Sequence, residues 1–328
     1  VSETQLPGLL PWLQEPWAFF SRCLDMDRLP HALLVEGPPG CGKMALADAM
    51  TARLLCNEGQ PAACGQCRSC ELLAGGAHPE LVDITFEINE KTGKLRTEIV
   101  IEQIRRTIGT LQLTNTISPR KVARIHPADA MNRNAANALL KSLEEPVGAD
   151  TVLILVSSRP ARLPVTIRSR CQPVTVRQPC RQALHEWLAS TSGKNDDEIG
   201  AALEASGGSP LRAAEFLSSP ELDAYAKVRE NLAALLARPG AVTSVAGQLE
   251  KLDAANTWYW LSSCAGEAAR GMMRGSLPAW LPAGVQLDAR TLLQLQRRAD
   301  MNRQLLATTV RRDLMLEAWL ITWIGQVI

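Results

Sequence analysis

Phenylalanine and tyrosine are scarce in this 328-residue chain, which has four of one and two of the other. Platforms that stack single-stranded bases are built from such rings, so few are available. The eight tryptophans are scattered and suit core or interface anchors. A surplus of one charge is also missing: 35 basic residues face 34 acidic ones, for a net +1. A diffuse polyanion-binding role gets no support from that balance, and nucleic-acid contact would need a local patch or partners. No apolar run reaches the roughly 20 residues of a membrane-spanning helix. The stretch from Leu314 to Ile328 is short and interrupted by Glu317 and Gln326, so it reads as a packed terminal helix. With Glu3 and no basic segment at the start, a secretory leader is not expected.

What is present in excess is cysteine. Nine thiols, an odd number and mostly clustered, fit a reducing cytoplasmic setting with a metal site better than a disulfide framework. The length is too great for one core and suggests two or three domains. The first part alternates short apolar runs with helical periodicity. Strands are expected at Leu33–Val35, Leu81–Ile84, Lys121–Ile125, Thr151–Val156 and around Val174, and helices at Met44–Leu55, Ile99–Leu111 and Ala128–Glu145. That alternation argues for a mostly parallel sheet with crossover helices. Arg124, in the middle of the third strand, has no evident reason to be there. After about residue 178 alanine and leucine dominate, broken by Ser-Gly-Gly-Ser-Pro at 206–210, Arg-Pro-Gly at 238–240 and Leu-Pro-Ala-Gly at 281–284. The expected division is 1–177, a small helical domain at 178–218 and a larger helical domain at 219–328. The fold class is therefore α/β followed by all-α.

Gly37-Pro-Pro-Gly-Cys-Gly-Lys43 ends the first strand and opens a helix, the setting of a phosphate-binding loop. In G-x-x-x-x-G-K-[ST] the glycine backbone cradles phosphates, the lysine reaches the outer ones and the hydroxyl ligates Mg²⁺. Gly37, Gly40, Gly42 and Lys43 supply the cradle. The hydroxyl position is Met44, whose thioether suits a hard cation poorly. Active loops also need acidic residues after a neighbouring strand, and the residues after Lys121–Ile125 are His126 and Pro127. Three readings stand: a structural turn, nucleotide binding without turnover, or hydrolysis. The two losses weigh most against the last.

Cys64-Gly-Gln-Cys67-Arg-Ser-Cys70, with Cys56 upstream, offers four thiols at a spacing suited to closed tetrahedral Zn²⁺. An iron–sulfur cluster and packed free thiols are the alternatives. Four thiolates leave no open position, so such a zinc is structural.

The motifs together resemble the delta-prime clamp-loader subunits of bacterial DNA polymerase III, within the AAA+ family. The likeness is densest from His31 to Cys171. It rests on His31-Ala-Leu-Leu34 before the loop, the cysteine module, Ala135-Ala-Asn-Ala-Leu-Leu-Lys-Ser-Leu-Glu-Glu-Pro146, and Leu163 through Ser169-Arg170-Cys171. The resemblance implies an AAA+ phosphate-loop sheet domain with a zinc insertion, a helical lid and a C-terminal helical collar. It also implies that Arg170 is an arginine finger acting in trans at the ATP site of a gamma/tau subunit, a task suited to a planar, permanently charged guanidinium. The implied partners are gamma/tau and delta, with the beta sliding clamp and primed DNA reached through the assembly, and no membrane. Active relatives carry a sensor arginine in Gly-Ser-x-Arg. Here Gly208-Ser-Pro-Leu211 has leucine at that place and Arg212 follows one position late. The other classes are an ATP-hydrolysing subunit of gamma/tau type and a zinc-containing nucleic-acid-binding module.

Overall fold

Five short strands pair side by side to make the sheet at the centre of the first part of the chain, four of them rich in leucine, isoleucine or valine and the fifth, Gln-Pro-Val-Thr, with Val174 as its one buried residue. In the computed structural model, which describes residues 8–58, 61–90, 92–145, 148, 150–306 and 311–325, these are β1 (Ala32–Glu36), β2 (Leu81–Ile84), β3 (Lys121–Ile125), β4 (Thr151–Ser157) and β5 (Gln172–Thr175). Their order is β2-β3-β4-β1-β5, and every pair is parallel, with Leu81 opposite Val122, Lys121 opposite Thr151, Ala32 opposite Leu153 and Leu33 opposite Gln172. Central strands covered on both faces read as unbroken apolar runs, and β4 is buried along its whole length.

Alternation along each strand divides the core in two. Leu33, Val35, Val122, Ile154 and Val156 face α1 (Gln14–Asp25) and α2 (Lys43–Leu55), meeting Trp17, Phe20, Leu46 and Met50. Ala32, Leu34, Ala123, Ile125 and Leu155 face α4 (Ile101–Leu111) and α5 (Arg133–Glu144), meeting Ile104, Leu111, Leu139 and Leu143. Each such leucine or isoleucine contributes about 1.5–3 kcal/mol of burial. The short helices α3 (Arg68–Ala74) and α6 (Val165–Arg168) complete this part.

One expected helix is interrupted. Between 128 and 145 a single tight turn, Ala128–Ala130, precedes α5. The cause is a tertiary pairing. Ile99 N–H donates to Ala130 O at 2.9 Å and Asn132 N–H to Ile99 O at 3.0 Å, which pulls Met131 and Asn132 out of helical register. Asn132 then caps α5, its Oδ1 accepting from Ala135 N–H at 2.9 Å. The same pairing moves the start of α4 from Ile99 to Ile101.

The chain divides into two compact units, one of residues 1–180 with 209–211 and one of 181–208 with 212–328. The second is helical: α7 (Arg181–Ser192), α8 (Asp196–Ala205), most of α9 (Pro210–Leu217), α10 (Glu221–Ala237), α11 (Val242–Leu249), α12 (Ala254–Arg274), α13 (Ala289–Leu305) and α14 (Arg312–Ile324). Three of the buried tryptophans in its core spend their ring N–H on a backbone carbonyl. Trp260 donates to Ala205 O at 3.2 Å, Trp319 to Leu295 O at 2.9 Å and Trp323 to Leu232 O at 3.0 Å. Ala205 and Phe216 share this core with Tyr225 and Trp260. On α14, Leu314 is exposed, Leu320 is buried and Met315 packs against the core. Ile321 is the exposed companion of Leu314, one helical stripe along.

No helix among the described residues is long and apolar enough to cross a membrane.

Candidate functional site

The loop between β1 and α2 has the backbone of a phosphate cradle. Gly37, Gly40 and Gly42 all have positive φ, at +154°, +71° and +83°, where side chains are strained. At Gly37 space forbids one too, because a Cβ would lie 2.1 Å from Val176 O. From the N-terminal side Trp12 Nε1 donates to Cys41 O at 2.9 Å. On the other side Leu211 N–H donates to Gly40 O at 3.1 Å.

The side chains are arranged differently from those of an active loop. Lys43 is buried and its Nζ donates back to Pro38 O at 2.6 Å. Burial holds its pKa below the usual lysine value. Met44 packs against the apolar cluster between α1, α2 and the sheet. At the end of β3, the buried Nδ1 of His126 has no hydrogen-bond partner, and burial, then the nearby Lys43 charge, push its pKa down. The carboxylate closest to this place in sequence, Asp129, is used elsewhere. It accepts from Ser157 Oγ at 2.7 Å and Ser158 N–H at 3.2 Å. Burial alone would raise its pKa, but these bonds and Arg159 bring it below the usual carboxylate value.

The four cysteines come together. The sulfurs of Cys56, Cys64, Cys67 and Cys70 all lie within 4.8 Å of one another, and Cys64 Sγ is 3.9 Å from Cys70 Sγ. A tetrahedron with Zn–S bonds of about 2.3 Å has edges of about 3.8 Å, so the set fits zinc. Backbone amides support thiolate: Cys64 N–H points at Cys56 Sγ at 3.4 Å, and Cys67 N–H at Cys64 Sγ at 3.3 Å. A backbone bond at Asn57 leads the causes that bring the Cys67 thiol down to about 6, while burial pushes Cys70 up to about 12.

Ser69, between two of these cysteines, reveals a buried polar cluster that sequence reading missed. Its hydroxyl donates to Leu55 O at 2.6 Å and lies 2.8 Å from His78 Nε2 and 2.9 Å from Ser118 Oγ. His78 Nδ1 accepts from Glu80 N–H at 3.2 Å, and burial keeps the ring's pKa low. Glu80 accepts from Thr116 and Ile117. The triangle ties the metal-site helix to the segment before β3. The nearest sequence signal was a histidine two residues before a glutamate, in a chain with four histidines.

Arg170 is exposed just past α6. Its Nη1 donates to Thr166 O at 3.0 Å and its Nη2 pairs with Glu144 at 2.8 Å. Arg168, at the end of α6, is exposed as well. Arg212 is occupied within the second unit, stacked over Tyr259 at 4.3 Å and bonded to Asn256 Oδ1 at 2.6 Å. Arg124 has its explanation here: its guanidinium grips Asp83 of the adjacent strand with two bonds, at 2.6 and 2.8 Å, and also pairs with Asp48 of α2.

Comparison with known proteins adds descent to geometry. The family model described as DNA polymerase III, delta subunit, matches residues 12–179. DNA polymerase III subunit delta' of Pseudomonas aeruginosa is 42% identical over 74% of this chain and 71% of its own. The delta' subunit of Yersinia pestis is 32% identical over 95% of this chain and 94% of its own. DNA polymerase III subunit tau/gamma of Haemophilus influenzae is 33% identical over 45% of this chain and 20% of its own.

Proposed function

The chain belongs to the delta-prime family of DNA polymerase III subunits, and we propose that it is a clamp-loader arm with no ATP turnover of its own. The observation that carries this reading is the pair of side chains standing where Mg²⁺ and water would be managed: Met44 packed against the core and His126 with a buried, unpartnered Nδ1. Neither replaces a hydroxyl or a carboxylate.

In this reading Arg170 is supplied to the ATP site of an adjacent gamma/tau subunit. Its exposure and its position outside the core support the role. The cysteine cluster holds one structural Zn²⁺. Residues 178–218 serve as a helical lid, and 219–328 join a collar with gamma/tau and delta, for which exposed Leu314 and Ile321 are suited. The assembly, working in the cytoplasm, opens the beta clamp and closes it on primed DNA.

The test is a loader reconstituted with Arg170→Ala, with Arg168→Ala as control. An arginine finger is worth about 10³–10⁵ at a site that depends on it. Turnover at the single facing site, and clamp loading with it, should fall for the first variant while zinc content and assembly persist. Loading at the parental rate by both variants would reduce the subunit to a scaffold. Mg-dependent hydrolysis by the isolated chain would favour a gamma/tau-type enzyme instead.

A further inference from the structure

β2 is the outermost strand of the sheet, and its free side is built as a trough. Parallel pairing engages alternate residues. Val122 N–H donates to Glu80 O and His126 N–H to Ile84 O, both at 2.9 Å, so positions 80, 82 and 84 face β3 while Leu81 and Asp83 turn their backbone groups outward. Leu81 N–H is taken by His78 O at 3.2 Å. Among the described residues nothing bonds the Leu81 carbonyl or the N–H and carbonyl of Asp83. Edge groups of this kind are a template for another strand.

A cavity lies on each side of this edge, and Leu81 and Asp83 line both. One, of about 570 Å³, is closed by Asp48 and Thr51 of α2, by Leu73 of α3 and by Arg124. The other, of about 330 Å³, is closed by Pro79, Val82 and by Thr107 and Thr110 of α4. Side chains of an added strand would alternate between the two. Three carboxylates, Asp48, Asp83 and Glu87, border the cavities against two guanidiniums, Arg124 and Arg106. The acids are also the more exposed members of the Arg124 pairs, at 59% and 46% against 13%. The trough therefore carries a net negative charge, concentrated on the α2 side, while the α4 side is small and partly apolar.

We infer that the outer edge of β2 is a docking site for an extended segment of a partner protein, which joins the sheet as a sixth strand. Lysine or arginine faces Asp48 and Asp83, and β-branched residues enter the cavity beside Thr107 and Thr110. Backbone bonds supply affinity in such strand addition and the alternating pockets supply selectivity. The site is independent of the phosphate loop and of Arg170.

The test uses the full chain, zinc-loaded and ¹⁵N-labelled, titrated with a capped six-residue peptide alternating lysine and valine. Amide shifts should saturate and centre on Leu81, Asp83 and Thr85. A glutamate–valine peptide should bind at least about tenfold more weakly, and a lysine–valine peptide with alternate backbone nitrogens methylated should not bind. Asp83→Pro removes the outward N–H at an edge position where proline is tolerated and should abolish binding. Asp83→Asn should still bind but lose the preference for lysine. An absence of saturable shifts, shifts centred elsewhere, or equal binding of the methylated peptide would overturn the inference. Concentration-dependent broadening of the same amides without peptide would assign the edge to a second copy of this chain instead.

Discussion

Arg170 and Glu144 are joined by a 2.8 Å ion pair that links the end of α5 to the segment after α6. Both partners are well exposed, at 36% and 52%, so the pair is worth about 0.2–1 kcal/mol. A guanidinium that must reach a neighbour's phosphate would have to leave this carboxylate. Glu144→Gln should therefore leave stimulated ATP turnover in the assembled loader unchanged or raise it, by up to about fivefold. A steady-state assay decides it; a large fall would mean that Glu144 positions Arg170 for its task.

Metal removal should be felt beyond the cysteines. One zinc per chain is expected, lost in Cys67→Ser. Because ligand binding and folding are coupled in such modules, the urea midpoint of the first unit should fall. Since Ser69 carries the buried bonds to His78 and Ser118, amide exchange across 112–120 should speed up on chelation. Unchanged exchange there would separate the metal from the buried polar triangle.

Arg124 should matter to stability, and not because it is charged in a general sense. Arg124→Met leaves Asp83 and Asp48 facing each other without their cation, and should cost about 1–3 kcal/mol. Adding Asp83→Asn should cost less than the sum of the two changes, the mark of direct coupling. Denaturant titration of the four proteins closes the cycle. Strict additivity would mean the pair is decorative.

The loop should respond to size before chemistry. Gly37→Ala should destabilise the fold by at least about 1–3 kcal/mol, through the clash with Val176 O and the positive φ. Lys43→Ala should leave ATP turnover of the loader nearly as it was. A collapse of turnover in that variant would show the loop working chemically.

Acid should weaken the first unit early. His78 and His126 both have folded pKa values held below the ordinary 6.5 by burial. Below about pH 6.5 the unfolded chain binds more protons than the folded one, so stability is full above that pH and declines as pH falls toward the folded values. With excess zinc, the urea midpoint should drop between pH 7.5 and 5.5, and less so in His126→Gln. Parallel pH profiles for the two proteins would remove His126 from the account.

The elements legible in the sequence were those whose cause is local. Four of the five strands lie where short apolar runs stand and the fifth lies around Val174, and the four thiols that meet are those at Cys-x₂-Cys spacing with Cys56. What was hidden depended on partners far along the chain. Arg124 looked misplaced because Asp83 and Asp48 are 41 and 76 residues away. The break before α5 came from Ile99, although the cap at Asn132 was a readable sign of it. Leu320 and Ile321 are adjacent and equally apolar, and only packing against the tryptophan core decides which one faces inward.

The crowding at Gly37 bears on how such loops are recognised. A backbone carbonyl of the segment after β5 excludes a side chain there as strictly as a bound phosphate would. Glycine at that position answers to the sheet's own geometry, whatever the pocket holds. A nucleotide signature can thus outlast its chemistry wherever the neighbouring strand still presses on it. The diagnostic letters are then the ones whose side chains would have managed metal and water, here the residues at 44 and 126.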